Sequence, residues 1–363
     1  MSDRPTPQPG ILKIAPYVPG KSGMGDGKPK VKLSANESPL GASPKAIEAY
    51  RALADRLEIY PEGSSRALRE ALAEVHGIEA DRIITGAGSD EVLHLLAQTY
   101  LGEGDEAIYC QYGFSVYPIV IQGASATPVV APETDYTADV DAILAVVTAR
   151  TKMVFLANPN NPTGTYLNAG ELKRLQDGLR PDILLVIDSA YAEYVTAEDY
   201  SVGIDLVRDS INTVMVRTFS KMGLAGVRVG WFYGPDHVVD AVNRLRGPFN
   251  VNVAAQAAGA AAARDTAFTQ ALCDYNAKWR DWLTAALSSN QLKVLPSQGN
   301  FILVLFPDIE GQRAPDAFQM LMNEGYVVRE MGGYGLPNAL RISIGSEEAM
   351  RAVAALLKDF GAK

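Results

Sequence analysis

A lysine in a glycine-rich segment is the residue of this sequence best suited to covalent chemistry. Lys221 follows Ser220, and Arg228 comes seven residues after the lysine. A lysine sheltered from water has a lowered pKa and can form a Schiff base with an aldehyde. Hydroxyl and guanidinium groups both donate well to phosphate, so Ser220 and Arg228 could bind one phosphate group. Together these groups suggest a phosphorylated aldehyde, pyridoxal phosphate, although a solvated loop lysine fits the same segment taken alone.

Two upstream segments add groups that such a cofactor needs. Asn161 lies in the loop Asn-Pro-Asn-Asn-Pro-Thr-Gly after an apolar run, and a buried-strand pattern ends in Asp188, with Tyr191 three residues later. A carboxylate at the end of a parallel strand lies where open α/β sheets bind ligands, and it can keep a pyridine nitrogen protonated. Asn161 and Tyr191 could donate to the ring hydroxyl. Asn161, Asp188 and Lys221 are separated by 27 and 33 residues, about one strand–helix–strand step each, so one sheet edge could hold all three.

Helix-like and strand-like segments alternate along most of the chain, which is typical of an α/β fold. The predicted strands are 82–85, 106–110, 126–130, 153–157, 183–188, 213–217, 228–233, 301–306, 326–329 and 340–344. The predicted helices include 43–58, 64–76, one or two in the Ala-rich stretch 253–288, 314–324 and 346–360. We predict an N-terminal arm (1–35), a large domain with a mostly parallel central sheet flanked by helices (36–260) and a smaller α/β C-terminal domain (261–363).

Composition and charge narrow the classes of function. The 363 residues are 47% hydrophobic and 21% charged, as in a soluble globular enzyme, and no apolar run is long enough to span a membrane. The net charge of −9 disfavours a nucleic-acid partner. Cys110 and Cys273 are predicted to be free thiols in a reducing, cytoplasmic compartment, and the N-terminus lacks the apolar core of a signal peptide. The three histidines have no metal-ligand spacing, so no metal site is predicted.

The motifs occur in an order that resembles a known enzyme family. Asn-Pro-Thr-Gly, then Asp-x-x-Tyr, then Ser-Lys and a later arginine are similar to the fold-type-I pyridoxal-phosphate aminotransferases. Further segments resemble the histidinol-phosphate aminotransferases within that group: 14–21 (Ile-Ala-Pro-Tyr-Val-Pro-Gly-Lys), 33–41, 60–63, 328–329 and 340–345. The likeness runs from about residue 11 to the C-terminus.

The resemblance implies roles for residues that the pattern alone would assign to turns or to the core. The turn Gly88-Ser89-Asp90 is implied to bind the cofactor phosphate at a helix start, and Tyr112 to stack on the cofactor ring. Tyr60 is implied to reach the cofactor phosphate of a neighbouring subunit, so the active site would exist only in a homodimer.

The resemblance also implies the reaction. Arg329 and Arg341, with Tyr17 and Asn36 nearby, would bind the phosphate of L-histidinol phosphate, which is converted to imidazole acetol phosphate in histidine biosynthesis. Lys221 would carry the cofactor and move a proton at the substrate Cα, and 2-oxoglutarate would accept the amino group. Three alternatives remain at this point: an aromatic amino-acid aminotransferase, a threonine-phosphate decarboxylase, and a non-catalytic binding or regulatory protein on the same fold.

Overall fold

The computed structural model describes residues 5–16, 31–290, 292–358 and 360. Within them, fifteen strands form: β1 (Val31–Lys32), β2 (Ile83–Gly86), β3 (Glu106–Cys110), β4 (Thr127–Ala131), β5 (Glu133–Thr134), β6 (Thr137–Ala138), β7 (Thr151–Ala157), β8 (Leu184–Asp188), β9 (Thr213–Thr218), β10 (Gly230–Tyr233), β11 (Lys293–Val294), β12 (Phe301–Leu305), β13 (Tyr326–Val327), β14 (Arg329–Glu330) and β15 (Ala339–Ser343).

The same residues form twelve α-helices: α1 (Pro44–Arg51), α2 (Arg66–His76), α3 (Ser89–Tyr100), α4 (Val116–Gly123), α5 (Val140–Ala145), α6 (Ala169–Gly178), α7 (Ile204–Arg208), α8 (Asp236–Leu245), α9 (Val253–Arg264), α10 (Thr266–Ser289), α11 (Ala314–Asn323) and α12 (Glu347–Leu356). No helix in the described residues is long and apolar enough to cross a membrane.

A seven-stranded sheet forms the centre of the molecule, with strand order β2-β10-β9-β8-β7-β3-β4. The pairs from β9 to β4 are parallel, and β10 runs antiparallel to both of its neighbours. The predicted α/β class, with a mostly parallel central sheet flanked by helices, is therefore confirmed.

Both faces of this sheet are buried at its central strands, which explains why β7 and β8 are largely continuous apolar runs rather than alternating ones. Phe155 and Val186 pack into the apolar cluster on one face, whereas their chain neighbours Leu156 and Ile187 pack into the cluster on the other. Successive side chains of a strand point to opposite faces, so helices on both sides are required to cover them.

A second sheet, of order β11-β12-β15-β14, is antiparallel and packs with α10, α11 and α12 around a core of its own. Trp279 and Phe318 are among its buried side chains. Strand β1 pairs in parallel with β13, so residues 31–32 lie against the C-terminal part of the chain. The proposed domain limits at residues 35 and 260 remain a prediction.

Three elements have limits that differ from the sequence prediction, and the strand pairing or the backbone conformation explains two of them. Helix α1 has the predicted N-cap, since the Ser43 side chain accepts from the Ala46 N–H, but it ends at Arg51 and not at residue 58. The predicted strand 326–329 is two strands, because β13 pairs with β1 and β14 pairs with β15. The strand predicted from 228 begins at Gly230, because Arg228 has a left-handed backbone (φ 63°).

Candidate active site

A cavity of about 290 Å³ lies where three parallel strands of the central sheet end. Ala157, Asp188 and Thr218 are the last residues of β7, β8 and β9, and all three line it. The carboxyl ends of strands in open α/β sheets are the usual ligand sites, as the sequence prediction assumed. The predicted site residues that line this cavity are Asn36, Ser89, Asp90, Asn161, Asp188, Tyr191, Ser220, Lys221, Arg228, Arg329 and Arg341.

Lys221 lies in a tight turn, Ser220–Leu224, directly after β9. Gly223 makes this turn possible: its φ is 84°, and a Cβ there would lie 2.1 Å from the carbonyl oxygen of Gly41. Burial, and then the Arg341 guanidinium, lower the pKa of Lys221 from 10.5 to about 8, against the opposing effect of Asp90. The amine therefore loses its proton more readily than an ordinary lysine, as a nucleophile requires.

The two carboxylate oxygens of Asp188 differ, because one accepts a hydrogen bond from the protein and the other accepts none from the described residues. Its carboxylate is 4% exposed, and Oδ2 accepts a hydrogen bond of 2.9 Å from the Tyr117 hydroxyl. Oδ1 is buried and has no hydrogen-bond partner among the described residues. Burial raises the Asp188 pKa to about 6, while the Tyr117 hydrogen bond opposes this rise. An open buried acceptor on a cavity wall fits a ligand N–H.

Several groups that are suited to binding an anion lie together at the start of α3. Arg228 Nη1 donates to Ser220 Oγ at 3.2 Å, and its Nη2 lies 2.8 Å from Asp90 Oδ2. Ser89 is the first residue of the helix, where backbone N–H groups have no partner within the helix and the dipole favours an anion. Glycine suits position 88 because its φ is 87°, a backbone conformation in which other residues are strained. The site therefore combines a guanidinium, two hydroxyls and a helix N-terminus, the groups that bind phosphate.

A second group of cationic residues on the same cavity comes from the smaller sheet. Arg329 and Arg341 are direct cross-strand partners on β14 and β15. Arg341 is buried and donates to Asn161 Oδ1 and to the Ser34 carbonyl. Buried guanidinium groups at a cavity wall are costly unless an anion or hydrogen bonds offset their desolvation.

Asn36 and Tyr191 connect the two walls. Asn36 Nδ2 donates to the Tyr191 hydroxyl at 2.9 Å, and Ser343 of β15 donates to Asn36 Oδ1 at 2.9 Å. Asn36 has a left-handed backbone (φ 56°) and is 1% exposed. A left-handed backbone costs energy, and the hydrogen bonds with Tyr191 and Ser343 keep Asn36 in it. This indicates a site that the surrounding fold keeps rigid.

Three predicted site residues do not line the cavity in this chain. The Tyr112 ring packs against Tyr136, with centroids 5.6 Å apart, and its backbone N–H donates to Glu133. Tyr60 is 78% exposed and stacks on Phe249, with centroids 4.7 Å apart. Gly88 is not among the residues that line the cavity and lies close to the Arg228 guanidinium. Tyr17 lies outside the described residues.

Two aromatic residues near the cavity were missed by the sequence analysis. Phe114, two residues after Tyr112, lines the cavity, and Tyr117 binds Asp188. The sequence carried a signal for Phe114, since it belongs to the same Tyr-Gly-Phe segment that was predicted to stack on a ring. It carried none for Tyr117, whose position in an apolar helix is typical of a core residue.

Comparisons with known proteins identify the family of this chain. The family model "Aminotransferase class I and II" matches residues 28–357. The chain therefore belongs to the class I and II aminotransferase family. Curated relatives include histidinol-phosphate aminotransferases of Nitrobacter hamburgensis, 57% identical over 362 residues, and of Rhodopseudomonas palustris, 56% identical over 362 residues; each match covers 99% of both chains.

Solved structures show the same fold. The histidinol-phosphate aminotransferase of Sinorhizobium meliloti, solved in complex with pyridoxal-5'-phosphate, superposes with a TM-score of 0.86 at 28% identity and covers 92% of each chain. The aspartate aminotransferase of Thermus thermophilus with maleate shares the fold, with a TM-score of 0.79 at 24% identity, over 92% of each chain.

Proposed function

We propose that this protein transfers the amino group of L-histidinol phosphate to 2-oxoglutarate with pyridoxal phosphate as cofactor, giving imidazole acetol phosphate and glutamate. The observation that carries the proposal is that two separate groups of arginine side chains line one cavity. One, around Arg228, adjoins the lysine turn, and the other consists of Arg329 and Arg341. A phosphorylated cofactor and an anionic substrate bound side by side need such a pair. The names of the relatives supply the choice of substrate.

The residues at the sheet edge fit the cofactor. The open Asp188 Oδ1 matches a protonated pyridine nitrogen, and the site around Ser220 and Arg228 matches the phosphate. Lys221 is the amine that would hold the aldehyde. When bound, pyridoxal phosphate supplies an electron sink that makes the substrate Cα–H acidic.

In this proposal, the Lys221 amine holds and moves the proton that leaves the substrate Cα. The Lys221 amine lies beside the Tyr191 ring, with Nζ 5.7 Å from the ring centroid. Because burial depresses its pKa to about 8, the amine can accept a proton from the substrate Cα and return it near neutral pH. Asp188 keeps the ring nitrogen charged through this transfer.

The pair Arg329 and Arg341 is proposed to bind the far anion of each substrate in turn. Histidinol phosphate presents a phosphate and 2-oxoglutarate a carboxylate, and a planar guanidinium can donate two parallel N–H bonds to the oxygens of either group. Asn36 supports this wall through Ser343. The predicted contribution of Tyr17 to the same anion stays a prediction.

Phe114 is proposed as an aromatic neighbour of the cofactor ring, because its side chain lines the cavity. The stacking role predicted for Tyr112 is untested. Comparing Phe114→Leu with Tyr112→Leu separates the two, since loss of the stacking ring should weaken cofactor retention and loss of a packing ring should not.

A homodimer is proposed because Tyr60 lies in an apolar patch that the described residues of its own chain leave exposed. We define the Tyr60 patch as Leu57, Ile59, Tyr60 and Phe249, which are 77%, 49%, 78% and 46% exposed. Contiguous exposed apolar side chains of this kind mark protein interfaces. A second copy covering the patch would carry Tyr60 towards a neighbouring cavity.

A substrate panel tests the proposed reaction. Purified protein with pyridoxal phosphate should turn over histidinol phosphate far better than histidinol, phenylalanine or threonine phosphate. Preference for phenylalanine would indicate an aromatic aminotransferase, carbon dioxide release from threonine phosphate a decarboxylase, and cofactor binding without turnover a binding protein.

A further inference from the structure

Tyr117 is a fully buried tyrosine whose hydroxyl contacts the proposed catalytic carboxylate. It is the second residue of α4, it is 0% exposed, and it donates to Asp188 Oδ2 at 2.9 Å. Its ring stacks on Phe155 of β7, with centroids 5.1 Å apart, and meets the Phe114 ring edge-on at 5.9 Å. Packing on two sides fixes the ring, so the direction of the O–H bond is set by the fold.

Because of this contact, Oδ2 of Asp188 is hydrogen-bonded to the protein and Oδ1 is left for a ligand in the cavity. A carboxylate is planar, so anchoring Oδ2 to a fixed donor also fixes where Oδ1 points. Oδ1 has no hydrogen-bond partner among the described residues. The hydroxyl therefore orients the open oxygen without competing for it.

The same hydrogen bond stabilises the charge of Asp188. Burial favours the neutral acid and raises the Asp188 pKa to about 6, and the nearby Asp90 carboxylate acts in the same direction. The Tyr117 hydroxyl opposes this rise most strongly, the Ala190 backbone N–H is next, and Lys221 adds a smaller effect of the same sign. Tyr191 also lies close enough to interact with the charge of Asp188.

We propose that Tyr117 is a positioning residue for this aminotransferase: its O–H holds Asp188 as an oriented carboxylate, so that the proton shared with the cofactor ring stays on the ring nitrogen. The inference rests on the proposed function. Without the hydroxyl, the anion is less stable, and the proton moves from the ring nitrogen to Asp188 Oδ1. The pair becomes neutral and the ring loses the charge that makes it an electron sink.

The test compares Tyr117→Phe with Tyr233→Phe as the matched control. Tyr233 is also fully buried and also donates to a carboxylate, that of Glu79, but it does not line the cavity. Each protein is loaded with pyridoxal phosphate labelled with ¹⁵N in the ring, and the nitrogen shift is followed from pH 6 to 9. Tyr117→Phe should move the signal towards that of an unprotonated pyridine, whereas wild type and Tyr233→Phe should keep a protonated signal.

The kinetic constants of the loaded enzyme and the Asp188 pKa of the cofactor-free protein are two independent measurements. Hydrogen bonds to charged groups are strong enough that kcat should fall by about tenfold to a hundredfold with little change in KM, and the Asp188 pKa of the apoprotein, followed by ¹³C NMR, should rise by about 1. An unchanged ring-nitrogen signal in a folded, cofactor-loaded Tyr117→Phe protein would overturn the proposal. Failure of wild type to bind the cofactor would instead overturn the proposed function.

A second variant covers the case in which Tyr117→Phe does not fold. Placing 3-fluorotyrosine at position 117 keeps the ring and makes its O–H a stronger donor. The ring nitrogen should then keep its proton to a higher pH than in wild type. A nitrogen titration identical to that of wild type would show that Tyr117 only fills space.

Discussion

The amine of Lys221 should lose its proton more than two pH units below an ordinary lysine. Burial, and then the neighbouring Arg341 guanidinium, lower its pKa from 10.5 to about 8. At pH 7.5 roughly a quarter of the molecules would then carry a neutral amine, against about one in a thousand for an unshifted lysine, a difference of about 250-fold. Because only the neutral amine attacks an aldehyde, this difference enters directly into the rate of cofactor attachment.

The assay is competitive labelling of the cofactor-free protein with a small acylating reagent between pH 6 and 10. Mass spectrometry quantifies the Lys221 peptide at each pH, and exposed Lys45, whose side chain is 64% accessible, serves as the internal reference. Normalising each lysine to its own plateau removes differences in access. The Lys221 curve should reach half its plateau near pH 8.

Arg341→Gln provides a further control, since removing a nearby cation should move the Lys221 midpoint upward. Labelling of Lys221 that still rises tenfold per pH unit above pH 9 would refute the argument. It would mean that the turn does not shield the amine and that its charge is as stable as in water.

Four further predictions concern substitutions of Asp188, Lys221, Tyr60 and Arg329. Asp188→Asn keeps the shape but removes the charge, so kcat should fall by about a thousandfold or more; a loss within about tenfold would mean that another group serves the ring nitrogen. Lys221→Met should raise the melting temperature of the apoprotein at pH 7, because the buried charge is destabilising below the folded pKa of about 8. That gain should shrink between pH 8 and 10.5, where the unfolded chain binds more protons, and a constant gain would show that packing is responsible. Mixing inactive Lys221→Ala with inactive Tyr60→Ala chains should restore activity in heterodimers with one intact site, and a fully active monomer in sedimentation would contradict this. Arg329→Gln should raise KM for histidinol phosphate by about tenfold to a hundredfold and leave histidinol little affected, whereas equal losses would assign Arg329 to the fold.

The residues at the strand ends could be predicted because their positions follow from chain direction. Asp188 and Lys221 follow parallel strands, and parallel strands end at one sheet edge, so the motif spacing was sufficient to bring them together. The same logic placed Asn161 and Tyr191 at the cavity. These predictions needed only the local pattern and the sheet type.

The positions of Phe114 and Tyr117 were harder to predict from the sequence because they depend on packing. Gly113 lies so close to the preceding turn that a Cβ would be 2.8 Å from the Cys110 carbonyl oxygen, and this turn brings Phe114 rather than Tyr112 to the cavity wall. Tyr117 and Asp188 are 71 residues apart, and their contact depends on how α4 packs on the sheet. The role of Tyr60 depends on a second chain, which no pattern within one chain specifies.

Borohydride reduction tests the central claim most directly. The cofactor-loaded protein is reduced, digested and mapped by mass spectrometry, with Lys221→Ala as the blank. A pyridoxyl phosphate group on Lys221, and its absence from the blank, is the predicted result. A label on a different lysine, or no covalent label in a protein that retains the cofactor, would contradict the assignment of Lys221 and the mechanism built on it.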